Sequence, residues 1–132
     1  MFVNTYDFVV ETSEHEEISV SLRLGVGSQI RLKKKWNEGT TETIFNAVDD
    51  IERFVDIMGE ALKWKGNKNT IKNGEDLVDL MMSNDMLGMA EKQKILTAVG
   101  RASGIFSEKE RKVIDKRGEK VFGSLDDDEE KN

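Results

Sequence analysis

Five cations, Arg23, Arg31, Lys33, Lys34 and Lys35, are followed at once by Trp36. They fall within residues 18–36, a stretch with five bases and no acid. Cations gathered in this way suit a polyanion, because each neutralised phosphate releases condensed counter-ions. An aromatic side chain beside them suits exposed bases, which stack on rings for about 1–3 kcal/mol each. If residues 17–24 and 29–36 are neighbouring strands, alternation places Arg23, Arg31, Lys33 and Lys35 on one face. Lys34 and Trp36 then continue the opposite face, with Ile30 and Leu32. The plainer reading is a solvated sheet face whose lysines guard against edge pairing. Trp36 shares the parity of the buried set, so packing is the simpler role for it.

Other chemistry finds little support. His15 is the chain's single histidine and sits in Glu14-His15-Glu16-Glu17. Adjacent side chains in a turn diverge, so these groups do not converge on a metal. With no cysteine, disulfides, thiolate metal sites and thiol nucleophiles are excluded. Gly25-Val26-Gly27 lacks the third glycine of a dinucleotide loop. Asp49, Asp50, Glu52 and Asp56 are close in sequence, but paired-carboxylate chemistry needs a pocket. The expectation is a non-catalytic protein with no cofactor.

The 132 residues carry a net charge of −6, 35% charged and 37% hydrophobic residues, with a mean hydropathy of −0.54. Such a chain fits one small domain, or one domain and an appendage. No apolar run is long enough for a membrane span, and Met1–Asp7 lacks the features of a secretory leader. Both point to the cytoplasm. The charge is segregated. Residues 63–72 form a second basic island with four lysines, and the background between the islands is acidic. Local field decides what a surface attracts, so the acidic total does not exclude a polyanion.

The elements that must position these residues follow from periodicity. Residues 6–12 place Tyr6, Phe8 and Val10 on one side, and residues 17–24 place Ile18, Val20, Leu22 and Leu24 on another. Gly25–Ser28 reads as a hairpin turn, residues 29–36 as a third strand and Thr40–Phe45 as a fourth. Val48, Ile51, Phe54, Val55, Met58 and Leu62 make the stripe of a long amphipathic helix, with Asn46 as its N-cap. Residues 66–74 read as a polar linker. Helical stretches follow at 75–83, at 89–102 and from the capping box Ser107-x-x-Glu110. Residues 126–132 read as a disordered acidic tail. The fold class is α+β: a sheet domain at 1–65 with four antiparallel strands and one long helix, then a helical region at 75–125.

Gln29–Trp36, alternating aliphatic with basic, followed by Thr43-Ile44-Phe45-Asn46 and the helix Val48–Leu62, resembles the positive-cofactor-four family of transcriptional coactivators. That resemblance, over residues 6–65, implies a curved four-stranded sheet, dimerisation through the helix and adjoining sheet, and binding of single strands across basic sheets. On it, the partners are single-stranded DNA, with RNA left open, and a second copy. The helical region 75–123 is foreign to the minimal family domain. The tail resembles those by which bacterial and phage single-strand-binding proteins recruit replication partners, though it ends Glu130-Lys131-Asn132 without their terminal apolar residue. A competing expectation is an acidic protein-interaction factor, a regulator of a polymerase or nuclease. It would act through the helical half, where Leu80, Met81, Met82, Met86, Leu87 and Met89 lie close together.

Overall fold

The computed structural model describes residues 4–106. Two strands and five helices follow in order: β1 (Tyr6–Glu11), β2 (Glu17–Leu22), α1 (Val26–Trp36), α2 (Thr40–Ala47), α3 (Ile51–Ala61), α4 (Gly74–Ser83) and α5 (Met89–Ala102). The helix expected from Ser107 and the tail 126–132 lie outside the described residues.

The class is α+β, but the expected four-stranded sheet with one long helix is wrong. The sheet has two antiparallel strands, and the third and fourth expected strands are helices α1 and α2. The topology implied by the resemblance is therefore not the one this chain adopts.

The hairpin itself follows its alternation. Tyr6 stands opposite Leu22, Phe8 opposite Val20 and Val10 opposite Ile18. This face meets the helices: Val10, Val20 and Leu22 are buried, and Tyr6, Phe8 and Ile18 pack at the margin. Thr12 ties the turn, its carbonyl accepting from His15 N–H and its hydroxyl accepting from Glu16 N–H. His15 takes the left-handed conformation at φ 64° that closes the reversal.

One asparagine substitutes for a neighbouring strand on each sheet edge. Asn84 Oδ1 accepts from Glu11 N–H and its Nδ2 donates to Glu11 C=O, both at 2.9 Å. Asn69 does the same at Ser21, both at 2.8 Å. A side-chain amide carries the same donor and acceptor as a peptide group, so each satisfies one exposed edge residue.

Residues 26–36 fold as a helix because their helical face is better satisfied than their alternating one. Ser28 and Leu32 are buried one turn apart. Gln29, Arg31 and Lys33–Lys35 are straight-chain residues with good helix propensity. Lys33, Lys34 and Lys35 occupy the last turn, where cations favour the negative end of the dipole. Asn37 then closes the helix at φ 53°, its N–H donating to Lys33 C=O. Gly25, expected in a hairpin turn, precedes α1 as its N-cap.

Helix α2 forms despite its β-branched residues. Thr43, Ile44 and Ala47 are buried, and the Thr43 hydroxyl donates to Gly39 C=O at 3.1 Å. The expected long helix begins later than Val48. Asp50, not Asn46, is its N-cap, accepting from Glu52 and Arg53 N–H. Asn46 lies in α2 and donates to Glu38. The buried stripe of α3 is Phe54, Ile57, Met58 and Ala61.

Between α3 and α4, Asn69 is 3% exposed and Ile71 is buried. Helix α4 packs on α3, and α4 and α5 both reach β1. One core thus runs from Val10 and Val20 through Phe54 and Ile57 to Leu77, Met81, Leu96 and Val99.

Arg53 links α3 to the α1–α2 connection. Its guanidinium donates to Glu38 at 2.8 Å and to Asp50. The bond from Arg53 holds the Glu38 carboxyl below the usual carboxylate range, although partial desolvation opposes it. A carboxyl lowered on folding contributes stability above its unfolded value near 4.3, and that contribution is lost as pH falls through the lower folded value. Glu38→Gln is therefore expected to lower the urea midpoint at neutral pH and to flatten its fall in acid. An unchanged acid limb would show that this pair is not part of the acid response.

Candidate functional site

The candidate cations do not share a face. Arg23 follows β2 and is spent on the fold: its guanidinium donates to Asn4 C=O and Ala102 C=O, each at 2.9 Å. It joins the start of the hairpin to the end of α5. The other four ride α1, where one turn separates Arg31 from Lys35. Both turn toward α3. Arg31 pairs with Glu60 at 2.9 Å, and Lys35 pairs with Asp56 at 2.8 Å. The bonds from Glu60 and Asp56 raise the pKa values of Arg31 and Lys35 respectively.

Trp36 is half-buried. Its indole N–H donates to Asp56 at 2.9 Å, and the Arg53 guanidinium lies 4.4 Å from its ring centroid. A ring pinned at its nitrogen and covered by a cation is poorly placed to stack a base.

The two basic islands meet beside Glu60, with Lys63 3.9 Å from one carboxylate oxygen. A cleft of about 480 Å³ opens there. Arg31, Lys35, Lys63 and Lys72 line it, but so do Asp56, Glu60, Glu75 and Asp76. Equal numbers of each sign make this an internally compensated surface. The segregation visible in the sequence is largely cancelled by folding, because the acidic block supplies counter-ions to the basic one.

Among the described residues, two of the cations left without an ion pair lie together on the outward face of α1. Lys33 and Lys34 are exposed and have no ion-pair partner among the described residues. On the same face, Val26 is 74% and Ile30 50% exposed. Positions 26, 30, 33 and 34 follow helical neighbour spacing, so two apolar side chains lead into two free cations. In a strand Ile30 would face inward with Leu32; in α1 it faces outward, which creates this patch. The signal that reveals it is Ser28, Leu32 and Trp36 at intervals of four, which turns Val26 and Ile30 away from the core.

The outer face of the hairpin carries the opposite sign. Residues 4–17 contain five acids and no lysine or arginine. Asp7, Val9 and Glu11 point outward from β1, beside Ser21, Ser19 and Glu17 of β2. Glu11 and Glu17 stand directly opposite one another, a like-charged pair that weakens the ladder. His15 Nδ1 lies 2.6 Å from Glu11 at the exposed turn. Val9, 52% exposed, sits at the centre of this face.

The methionine-rich helical half offers less free surface than its sequence suggests. Met81 is buried, and Leu80, Met86 and Leu87 pack against the core, leaving Met82 and Met89 exposed. Among the described residues no group of three or more His, Cys, Asp or Glu side chains is placed to hold a metal ion. None of the described helices is long and apolar enough to cross a membrane. No family model matches the chain, and no curated protein or solved structure matches it.

Proposed function

We propose that this chain is a non-catalytic protein-recognition module that engages its partner through the outward face of α1. The observation that carries the reading is the pairing of exposed Val26 and Ile30 with Lys33 and Lys34, which have no ion-pair partner among the described residues. Burying an exposed aliphatic side chain is worth about 1.5–3 kcal/mol. Two such side chains supply a useful apolar anchor, and the lysines favour a partner with acids beside its own apolar residues.

A single-stranded nucleic acid gains less here. On α1, only Lys33 and Lys34 have no ion-pair partner among the described residues, and two neutralised phosphates give a salt slope of about −1.4 in log K. The expected cationic sheet is absent, and Trp36 is engaged with Asp56 and Arg53.

The test is a photo-activatable side chain placed at Ile30 in the native cell, with exposed Lys94 of α5 as the control position. The expected result is an adduct at position 30 that protease removes and nuclease does not. A nuclease-sensitive adduct, or none above the control, overturns the reading.

A further inference from the structure

We infer that the acidic outer face of the hairpin receives the α1 face of a second copy, so that the chain associates head to tail. The inference rests on the recognition role given above to α1 and names its partner. The two patches are complementary in sign. One carries Lys33 and Lys34; the other carries Asp7, Glu11 and Glu17, with the repelling Glu11–Glu17 pair at its turn end. A like-charged pair becomes favourable when a cation lies over it.

The patches also match in shape. Beside Val9, a groove of about 550 Å³ opens between the outer sheet face and the loop carrying Trp64 and Lys68. Trp64 forms its wall, with the indole N–H donating to Ser21 C=O at 2.9 Å. Val26 and Ile30 are the apolar side chains that α1 offers to such a groove. From Val26 to Lys34 the helix rises about 12 Å, and from Asp7 to Glu11 the strand advances about 13 Å. Aliphatic contact near Val9 and Trp64 therefore places the lysines over Glu11 and Glu17. Lys68 is the cation among the groove's lining residues, which include Asp7 but neither Glu11 nor Glu17.

The two faces differ, so the contact is heterologous: each copy that uses one face leaves the other free. Growth beyond a pair follows unless a ring closes.

Sedimentation velocity of the full chain over a range of concentration and salt tests this. The wild type is expected to exceed two copies as concentration rises and to dissociate as salt rises. Lys33→Glu with Lys34→Glu, and separately Glu11→Lys with Glu17→Lys, are each expected to weaken association at least about tenfold. Mixing the two variants is expected to restore it, because each brings the face the other has lost. Circular dichroism of each variant confirms that the fold is kept. A wild type that stays monomeric, or association indifferent to both reversals, overturns the inference; a mass that stops at two but falls with either reversal is the same contact closed as a two-membered ring. If a nuclease-resistant protein adduct at position 30 persists without self-association, the recognition role stands and only the second copy as partner is lost. A nuclease-sensitive adduct removes both.

Discussion

Replacing Asn69 with Leu is expected to cost about 3–5 kcal/mol, a large fraction of the roughly 5–15 kcal/mol that keeps a domain folded. The side chain is buried, and all its hydrogen-bonding capacity serves the backbone. Oδ1 accepts from Ser21 N–H, while Nδ2 donates to Ser21 C=O and to Leu62 C=O at 3.1 Å. Leucine fills the space but leaves backbone groups unpaired on the β2 edge and at the end of α3. Trp64 still donates to Ser21 C=O, so the loss falls mainly on Ser21 N–H and Leu62 C=O. Asn69→Asp keeps the acceptor but sets a buried carboxylate against two carbonyl oxygens, and is expected to be at least as harmful at neutral pH. Urea denaturation measures both. A loss below about 1 kcal/mol for the leucine variant would mean that the edge does not depend on this clamp.

Gly74→Ala is expected to cost about 3 kcal/mol or more, beyond the usual range for one added methyl. Here α3 and α4 touch through their backbones. A Cβ on Gly74 would lie 2.1 Å from Val55 O and 2.9 Å from Gly59 N. Both obstacles are main-chain atoms of one helix, so no side chain can swing aside. Gly59→Ala faces the same crossing more gently, its nearest contact being 3.1 Å from Gly74 N. Its better helix propensity returns up to about 1 kcal/mol. The order of the two thermal midpoints is therefore diagnostic: Gly74→Ala well below Gly59→Ala. Equal midpoints would mean that the helices separate freely at this crossing.

The sequence makes some elements plain and hides others for a physical reason. Strands β1 and β2 alternate over six residues each, with one face in the core and one outside, so period two is unambiguous there. The stretches 75–83 and 89–102 nearly coincide with α4 and α5, because Leu77, Val78 and Met81, and Ile95, Leu96 and Val99, repeat at helical spacing. Helix α1 is different. Ser28, Leu32 and Trp36 are four apart, and an interval of four returns to the same face in a strand and nearly so in a helix. Ile30 and Lys34 break the tie: a strand places them with Leu32, whereas a helix places them opposite. The three lysines followed by Asn37 and Gly39 already carry the signature of a helix end.

The conformation of residues 26–36 decides the candidate site. As a strand, the segment makes Arg31, Lys33 and Lys35 one cationic face. As a helix, it sends Arg31 and Lys35 to Glu60 and Asp56 and leaves Lys33 and Lys34 outside with Val26 and Ile30. Charge counts along a chain do not disclose such compensation, because the counter-ions come from α3, more than twenty residues away. Asn69 was equally hidden. A single asparagine in a polar stretch reads as a turn former until Ser21 is seen beside it.

The backbone chemical shifts of residues 26–36 measure the decisive point directly. Helical Cα and Cβ shifts throughout, with sequential amide contacts and slow exchange at Leu32, are the expected result and leave Val26 and Ile30 facing solvent. Strand-type shifts, with cross-strand contacts from residues 18–24 to 29–36, would restore a single cationic sheet face and contradict the assignment of α1 as a surface for protein.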